Sequence, residues 1–319
     1  MIKALPLSVF AVLFGAAFFA LASCGDPPPP PPDDTPLLPE EPVGLVPEEA
    51  RETAEPTEPE TVHGPEVFSP DYPEIIAHRG ASWDAPENTV PAYELAWEMG
   101  AHAVETDVYL SADGEVVCLH DRNLRRTTGL DARVDELTWE ELQELDAGAW
   151  KGEEWEGVGI PLLSELLALT PPGGRFFVDV KSGVDSVPAI VDVIRESGID
   201  DQVVIIAFSK AVCEAFVEHA PDLPVKWLVG TQRDEETGEW LPIDPARVQE
   251  AVDAGFTGIN VGWGGAHPEL MEAAEAAGTR LYVWTVNELD VARRMVEWGA
   301  SGITTDRPDI MLEEFHGGE

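Results

Sequence analysis

The chain has 319 residues, enough for one large domain or two of medium size, and its 44% apolar content is enough for a substantial core. Its formal net charge is −42, with 61 acidic side chains against 19 lysines and arginines. Such a surface repels phosphate backbones and anionic bilayers, which excludes nucleic acid as a partner; the shortage of lysine fits either a salt-adapted surface or a plain solvated acidic one.

The first residues read as an export signal. Lys3 supplies a short positive region, and "LPLSVFAVLFGAAFFA" is apolar but short for a bilayer span. "LASC" (Leu21–Cys24) then resembles the bacterial lipobox. That resemblance implies residues 1–23 as a signal peptide, cleavage before Cys24 and a lipid on its sulfur. The protein would then be exported and lipid-anchored to a bacterial membrane, on the periplasmic or cell-surface side. An ordinary signal peptide or a single anchor is the alternative. Residues 24–70 follow as a tether. They hold 14 of the chain's 28 prolines, six of them consecutive, and many acids. Polyproline favours an extended rod, and the rest buries too little apolar surface to offset its ordering entropy.

Between residues 71 and 315, short β-branched runs alternate with helical patterns. The strands are "EIIAH", "AVETDV", "RFFVDV", "QVVIIAF", "VKWLVG", "GINVGW", "RLYVWTV" and "GITTD". Segments such as "NTVPAYELAWEMG" and "LDVARRMVEWG" lie between them and close on a glycine, a helix stop. Eight strands with helical crossovers predict an α/β fold, a (β/α)₈ TIM barrel. "EVVCLH" breaks the rhythm: the Asp113-Gly114 turn signal returns it antiparallel to its neighbour. It opens a small insertion after the second strand, over about residues 110–170. Cys118 and Cys213 sit in apolar runs and read as buried free thiols.

Polar residues at the C-terminal ends of barrel strands mark the site. His78 and Arg79 follow "EIIA"; Glu105 and Asp107 share one strand face at i, i+2; Asp179 and Lys181 do the same; Trp284 and Asp306 end later strands. Buried parallel strands are otherwise continuously apolar. Three converging carboxylates, Glu105, Asp107 and Asp179, need a cation, and all-oxygen ligation selects Mg²⁺ or Ca²⁺. With Arg79 and Lys181 the ion forms a clamp for a phosphoryl oxyanion, and His78 and His120 can move protons on either side of it. The residues by themselves point to metal-assisted hydrolysis of a phosphate ester. Glu87 reads equally as a helix-start brace or a ligand. His102 reads as surface, His267 as a cap-region residue, and Asp306 as a brace. Trp83, Trp263 and Trp284 read as core, with Trp284 placed to line the pocket.

"HRG", "PENT", "ETDV", "ADGEVVCLHD", "VDVK", "VWTVN" and "GITTDRP", in that order over residues 73–310, resemble the glycerophosphodiester phosphodiesterase family. The resemblance implies a (β/α)₈ barrel with a small insertion. It implies His78 and His120 as general acid and base, Glu105, Asp107 and Asp179 as metal ligands, and Arg79 and Lys181 as phosphate contacts. Glu87 and Asn88 match the supporting "PENT" segment. The family usually has Glu at the position of Asp179, one methylene longer. The implied substrates are glycerophosphodiesters such as glycerophosphocholine, cleaved to an alcohol and glycerol 3-phosphate. A lysophospholipase D or another related phosphodiesterase, and a non-catalytic phosphodiester-binding lipoprotein, are the rival readings.

Overall fold

The structure, a computed structural model, describes residues 72–317. The expected signal peptide, tether and Cys24 lie outside the described residues. Nine strands form: β1 (Glu74–His78), β2 (Ala103–Leu110), β3 (Val116–Cys118), β4 (Arg175–Val180), β5 (Val203–Ala207), β6 (Val225–Val229), β7 (Gly258–Gly262), β8 (Arg280–Trp284) and β9 (Gly302–Thr305). All except β3 pair in parallel in chain order, and β1 bonds both β2 and β9, which closes an eight-stranded barrel. This is the expected (β/α)₈ fold. β3 runs antiparallel on β2, with Cys118 opposite Val108 and Val116 opposite Leu110.

Alternation along each strand sorts the residues. On β4, Phe176, Val178 and Val180 face outward into the layer between barrel and helices, while Phe177 faces inward. Ile76, Ala103, Phe177, Val204, Ile206, Leu228 and Tyr282 fill the barrel interior. One strand-step toward the N-terminal ends, Glu74, Arg175 and Lys226 are buried; one step the other way come Glu105 and Asp179, and a second step along β2 Asp107, all buried. The apolar plug thus separates two polar layers. Helices at Val90–Glu98, Val187–Ser197, Pro268–Ala276 and Pro308–His316 each carry proline in their first two positions, where no intrahelical N–H is needed.

The insertion has its own small core of Val117, Leu119, Leu124, Val134, Leu142, Ala147 and Ile160. It ends earlier than the sequence suggests. Helix Leu163–Leu167 packs between helices Val90–Glu98 and Val187–Ser197, and its three buried leucines join the main core. It is the β2-to-β4 crossover helix, shortened to five residues. Its brevity hides the helical period in the sequence. Cys118 and Cys213 are buried and free, as expected.

Candidate active site

The mouth of the barrel at the C-terminal strand ends gathers the polar residues. β1 ends on His78, and the chain then turns sharply through Arg79 (φ 57°) and Gly80 (φ 79°). A Cβ on Gly80 would lie 2.6 Å from the Ala92 backbone, so only glycine fits where the turn meets the first helix. The turn directs the Arg79 amide to Glu105 Oε2 (3.0 Å) and its guanidinium to Glu87 Oε1 (3.0 Å). Arg79 Nε also lies 3.1 Å from Asp107 Oδ2, as an ion pair without hydrogen-bond alignment.

Register aligns the carboxylates. Glu105 lies opposite His78 across the β1–β2 pair, and Asp107 opposite Asp179 across β2–β4. One oxygen of each of Glu105, Asp107 and Asp179 lies within 4.8 Å of the others, and all three side chains are buried. Lys181 Nζ sits 2.7 Å from Asp179 Oδ2 and 3.1 Å from Asp107 Oδ1. Asn88, held in a left-handed turn at φ 55°, donates to Asp107 Oδ2 (2.8 Å) and accepts from Thr106 Oγ1, the Asp107 amide and the Tyr93 hydroxyl. The expected support from Asn88 is therefore an anchor for one carboxylate.

Burial and mutual repulsion push Glu105 well above its usual range. Burial and Asp107 push Asp179 up as well, against the pull of Lys181. Asp107 is also buried, yet Lys181 and Arg79 hold it well below the usual range. Two cations do not neutralise three buried carboxylates, and Asp179 Oδ1 is buried with no hydrogen-bond partner. An all-oxygen donor set with an unpartnered buried oxygen suits a hard divalent cation. The buried triad could hold such an ion.

Each histidine is backed by a carboxylate. His78 Nδ1 lies 2.6 Å from Asp306 Oδ1, and Asp306 also accepts from Ser82 Oγ (3.0 Å) and Asn287 Nδ2 (2.7 Å). Burial works against the Asp306 anion, but His78, with the Asn287 amide and Arg79, holds its carboxyl below the usual range. Asp306 is thus a brace. His120, reached through β3, has its Nδ1 2.7 Å from Asp121 Oδ1. Both rings are held at Nδ1 by a carboxylate, so Nε2 is the ring nitrogen left to meet a ligand.

Three residues escape a reading from sequence. Arg126, in the insertion, grips both oxygens of Glu87 at 2.7 Å and also bonds Asp121. Burial raises Glu87, but Arg79 and Arg126 together bring its carboxyl below the usual range, so it links two arginines and supports the site. Asp121 and Phe208 are the others. Phe208 follows β5 in the inward phase of Val204 and Ile206, a signal the strand pattern does contain. Its ring packs edge-on to Trp284 at 5.4 Å and lies 5.3 Å from Lys181 Nζ. Trp284 donates Nε1 to the Asn260 carbonyl (3.2 Å) and presents its ring to the mouth. His102 is not a surface residue: half-buried at the opposite end, it accepts from the Ile75 amide (3.0 Å) and lies 4.3 Å from the His316 ring. Burial and His316 lower it to about 4. His267 precedes a helix as expected, bound to the Ile243 carbonyl (2.8 Å).

The glycerophosphoryl diester phosphodiesterase family model matches residues 78–310. A glycerophosphodiester phosphodiesterase of Caldanaerobacter subterraneus is 34% identical over 245 residues, covering 75% of this chain and 96% of that protein. The solved structure of an Oleispira antarctica phosphodiesterase in complex with the product sn-glycerol 3-phosphate aligns with a TM-score of 0.69 at 26% identity, covering 76% of this chain and 96% of that one. A putative glycerophosphoryl diester phosphodiesterase from Silicibacter pomeroyi aligns with a TM-score of 0.68 at 27% identity, over 77% and 93% of the two chains. With the family model matched over residues 78–310 and a relative 34% identical along nearly its whole length, the chain belongs to the glycerophosphoryl diester phosphodiesterase family and is a phosphoric diester hydrolase.

Proposed function

We propose that the protein hydrolyses glycerophosphodiesters to an alcohol and glycerol 3-phosphate, with a divalent cation, Mg²⁺ or Ca²⁺, at Glu105, Asp107 and Asp179. His78 and His120 act as the acid and base. The observation that carries this reading is the meeting, at one barrel mouth, of three buried carboxylates, two cations and two imidazoles held at Nδ1. The Oleispira relative with bound sn-glycerol 3-phosphate supports the product.

Arg79 and Lys181 hold the phosphoryl oxygens, and the rings of Trp284 and Phe208 wall the opening. When bound, the cation supplies positive charge to the phosphoryl oxygens and makes the attacking oxygen easier to deprotonate. One imidazole, neutral at Nε2, takes a proton from water as the water oxygen attacks phosphorus. The other, protonated, gives its proton to the alcohol oxygen as the P–O bond breaks. One water is consumed, and one alcohol and one phosphomonoester leave. The two rings end with exchanged protonation and reset through solvent. Asp306 and Asp121 hold the rings through this cycle.

The test is glycerol 3-phosphate release from glycerophosphocholine, with and without EDTA, and then with His120→Ala. Loss of turnover in both arms supports the reading; full turnover in EDTA removes the ion from it. Residues 1–23 as an export signal, lipidation at Cys24 and residues 25–70 as a tether complete the proposal. They rest on the Lys3, apolar and "LASC" succession. Mass spectrometry of the purified chain tests them by the N-terminal residue and any lipid it carries.

A further inference from the structure

Seven large apolar side chains are exposed among the described residues, and six of them share one end of the barrel. Trp83 (46% exposed) follows β1, Val184 (51%) follows β4, Phe208 (42%) follows β5, and Leu241 (42%) lies between β6 and the next helix. Leu130 (38%) and Trp150 (41%) come from the insertion, which is tied to the mouth by Lys151 Nζ donating to the Ser82 carbonyl at 2.6 Å. Only Tyr72 lies at the far end, before β1. In a chain so rich in acid, the exposed apolar side chains ring the opening where substrate enters.

We infer that this rim is a lipid-docking surface, which seats the active-site mouth on a zwitterionic bilayer. Two rim residues are tryptophans, each beside cations. Arg307 lies 5.0 Å above the Trp83 ring; Arg126 and Lys151 each lie 5.8 Å from the Trp150 ring. An indole flanked by guanidinium or ammonium groups is the composition of a membrane interface. The ring enters the headgroup layer, and Arg307 and Lys151 meet lipid phosphate, while Arg126, held by Glu87 and Asp121, only flanks its ring. The net charge of −42 excludes an anionic leaflet and leaves a zwitterionic one. The rim consists of separate side chains on several loops, a form suited to a deformable lipid surface more than to a rigid protein groove. The chain outside the structure permits the orientation. Residues 25–71, as a flexible coil, span roughly 40 Å, and as polyproline up to about 150 Å. Either exceeds the roughly 26 Å of an eight-residue strand. A tether joined at the far end of the barrel therefore still lets the mouth turn to the membrane. The inference is independent of the hydrolytic reading, which is tested on a soluble diester without any vesicle.

The test uses the full-length chain with Cys24→Ser. Cys118 and Cys213 are buried, and burial pushes both thiols above their usual range, so an introduced cysteine takes the label. An environment-sensitive fluorophore (NBD) is placed at Leu130→Cys or Leu241→Cys, with Arg294→Cys, on the exposed face of helix Leu289–Trp298, as reference. On adding phosphatidylcholine vesicles, emission at positions 130 and 241 should shift to the blue and rise about twofold or more, while position 294 stays water-like. Water-like emission at all three positions overturns the inference, as does an equal shift at all three. A shift without vesicles that grows with protein concentration assigns the rim to a second copy of the chain and overturns the lipid assignment.

Discussion

His78 Nδ1 and Asp306 Oδ1 lie 2.6 Å apart although 228 residues separate them in the chain. β1 and β9 are neighbours in the closed barrel, so closure itself places the brace behind the ring. Asp306→Asn keeps the size and can still accept from Nδ1–H, but it loses the charge that steadies an imidazolium. We expect kcat on glycerophosphocholine to fall roughly 10²–10⁴-fold with little change in KM. Steady-state kinetics across pH check this, and an unchanged kcat would remove Asp306 from the machinery.

On the proposed reading, Asp179 sets the strength of the ion site. Its Oδ2 is engaged by Lys181 and its Oδ1 has no hydrogen-bond partner. Asp179→Glu adds the methylene usual in the family and should tighten divalent-ion binding several-fold. Asp179→Asn should weaken it by about tenfold or more. Calorimetric titration of EDTA-treated protein with Mg²⁺ and Ca²⁺ reads both; identical affinity in the native chain and the Glu variant contradicts the assignment.

Ion binding and pH are linked through Glu105. In the ion-free protein its pKa is raised by burial and by its acidic neighbours, so it keeps its proton above the normal carboxylate range. A raised folded-state pKa contributes stability that is present below the unfolded value of about 4.5 and lost as pH rises through the folded value. A divalent cation needs the carboxylate and reverses that loss. The rise in Tm on adding Mg²⁺ or Ca²⁺ should therefore be small near pH 4.5 and grow as pH increases. Differential scanning fluorimetry over that range decides it, and a ΔTm independent of pH is the contrary result.

The layer beneath the apolar plug is a stability element. Glu74 accepts from Arg175 at 2.9 Å and from the Tyr282 hydroxyl at 2.8 Å, all buried. Arg175→Met takes the guanidinium from a buried carboxylate and should cost about 3–5 kcal/mol. Tyr282→Phe removes one neutral donor and should cost about 1–2 kcal/mol. Guanidinium unfolding measures both, and equal losses would show that charge is not what matters there.

The sequence carried the barrel because alternation alone sorts it. Glu105–Asp107 and Asp179–Lys181 stand out at i, i+2 where a buried parallel strand should be apolar, and that interruption is the site. The β2–β3 reversal was readable because Asp113-Gly114 needs a left-handed glycine, and Gly114 has φ 92°. Arg126 was not readable. Its partner Glu87 lies 39 residues away, and no periodicity in an irregular insertion says which arginine turns inward. The crossover helix Leu163–Leu167 is not separable from the insertion by sequence, because five residues are too few to show a helical period. His102 reads as surface in the sequence because its packing on His316, more than 200 residues away, depends on closure of the ring.

The two histidines rest on unequal foundations. His78 ends a strand bonded on both sides within the ring, whereas His120 follows a three-residue strand bonded along one edge to β2, with a single bridge from Val117 to Leu162 on the other. The patch under His120 is the insertion's own seven-residue core, far smaller than the barrel's. The insertion can therefore open as a unit of its own, at lower denaturant or temperature than the ring. If the two histidines share proton transfer as proposed, a preparation can keep the circular dichroism of its barrel and still have lost activity with the smaller unit.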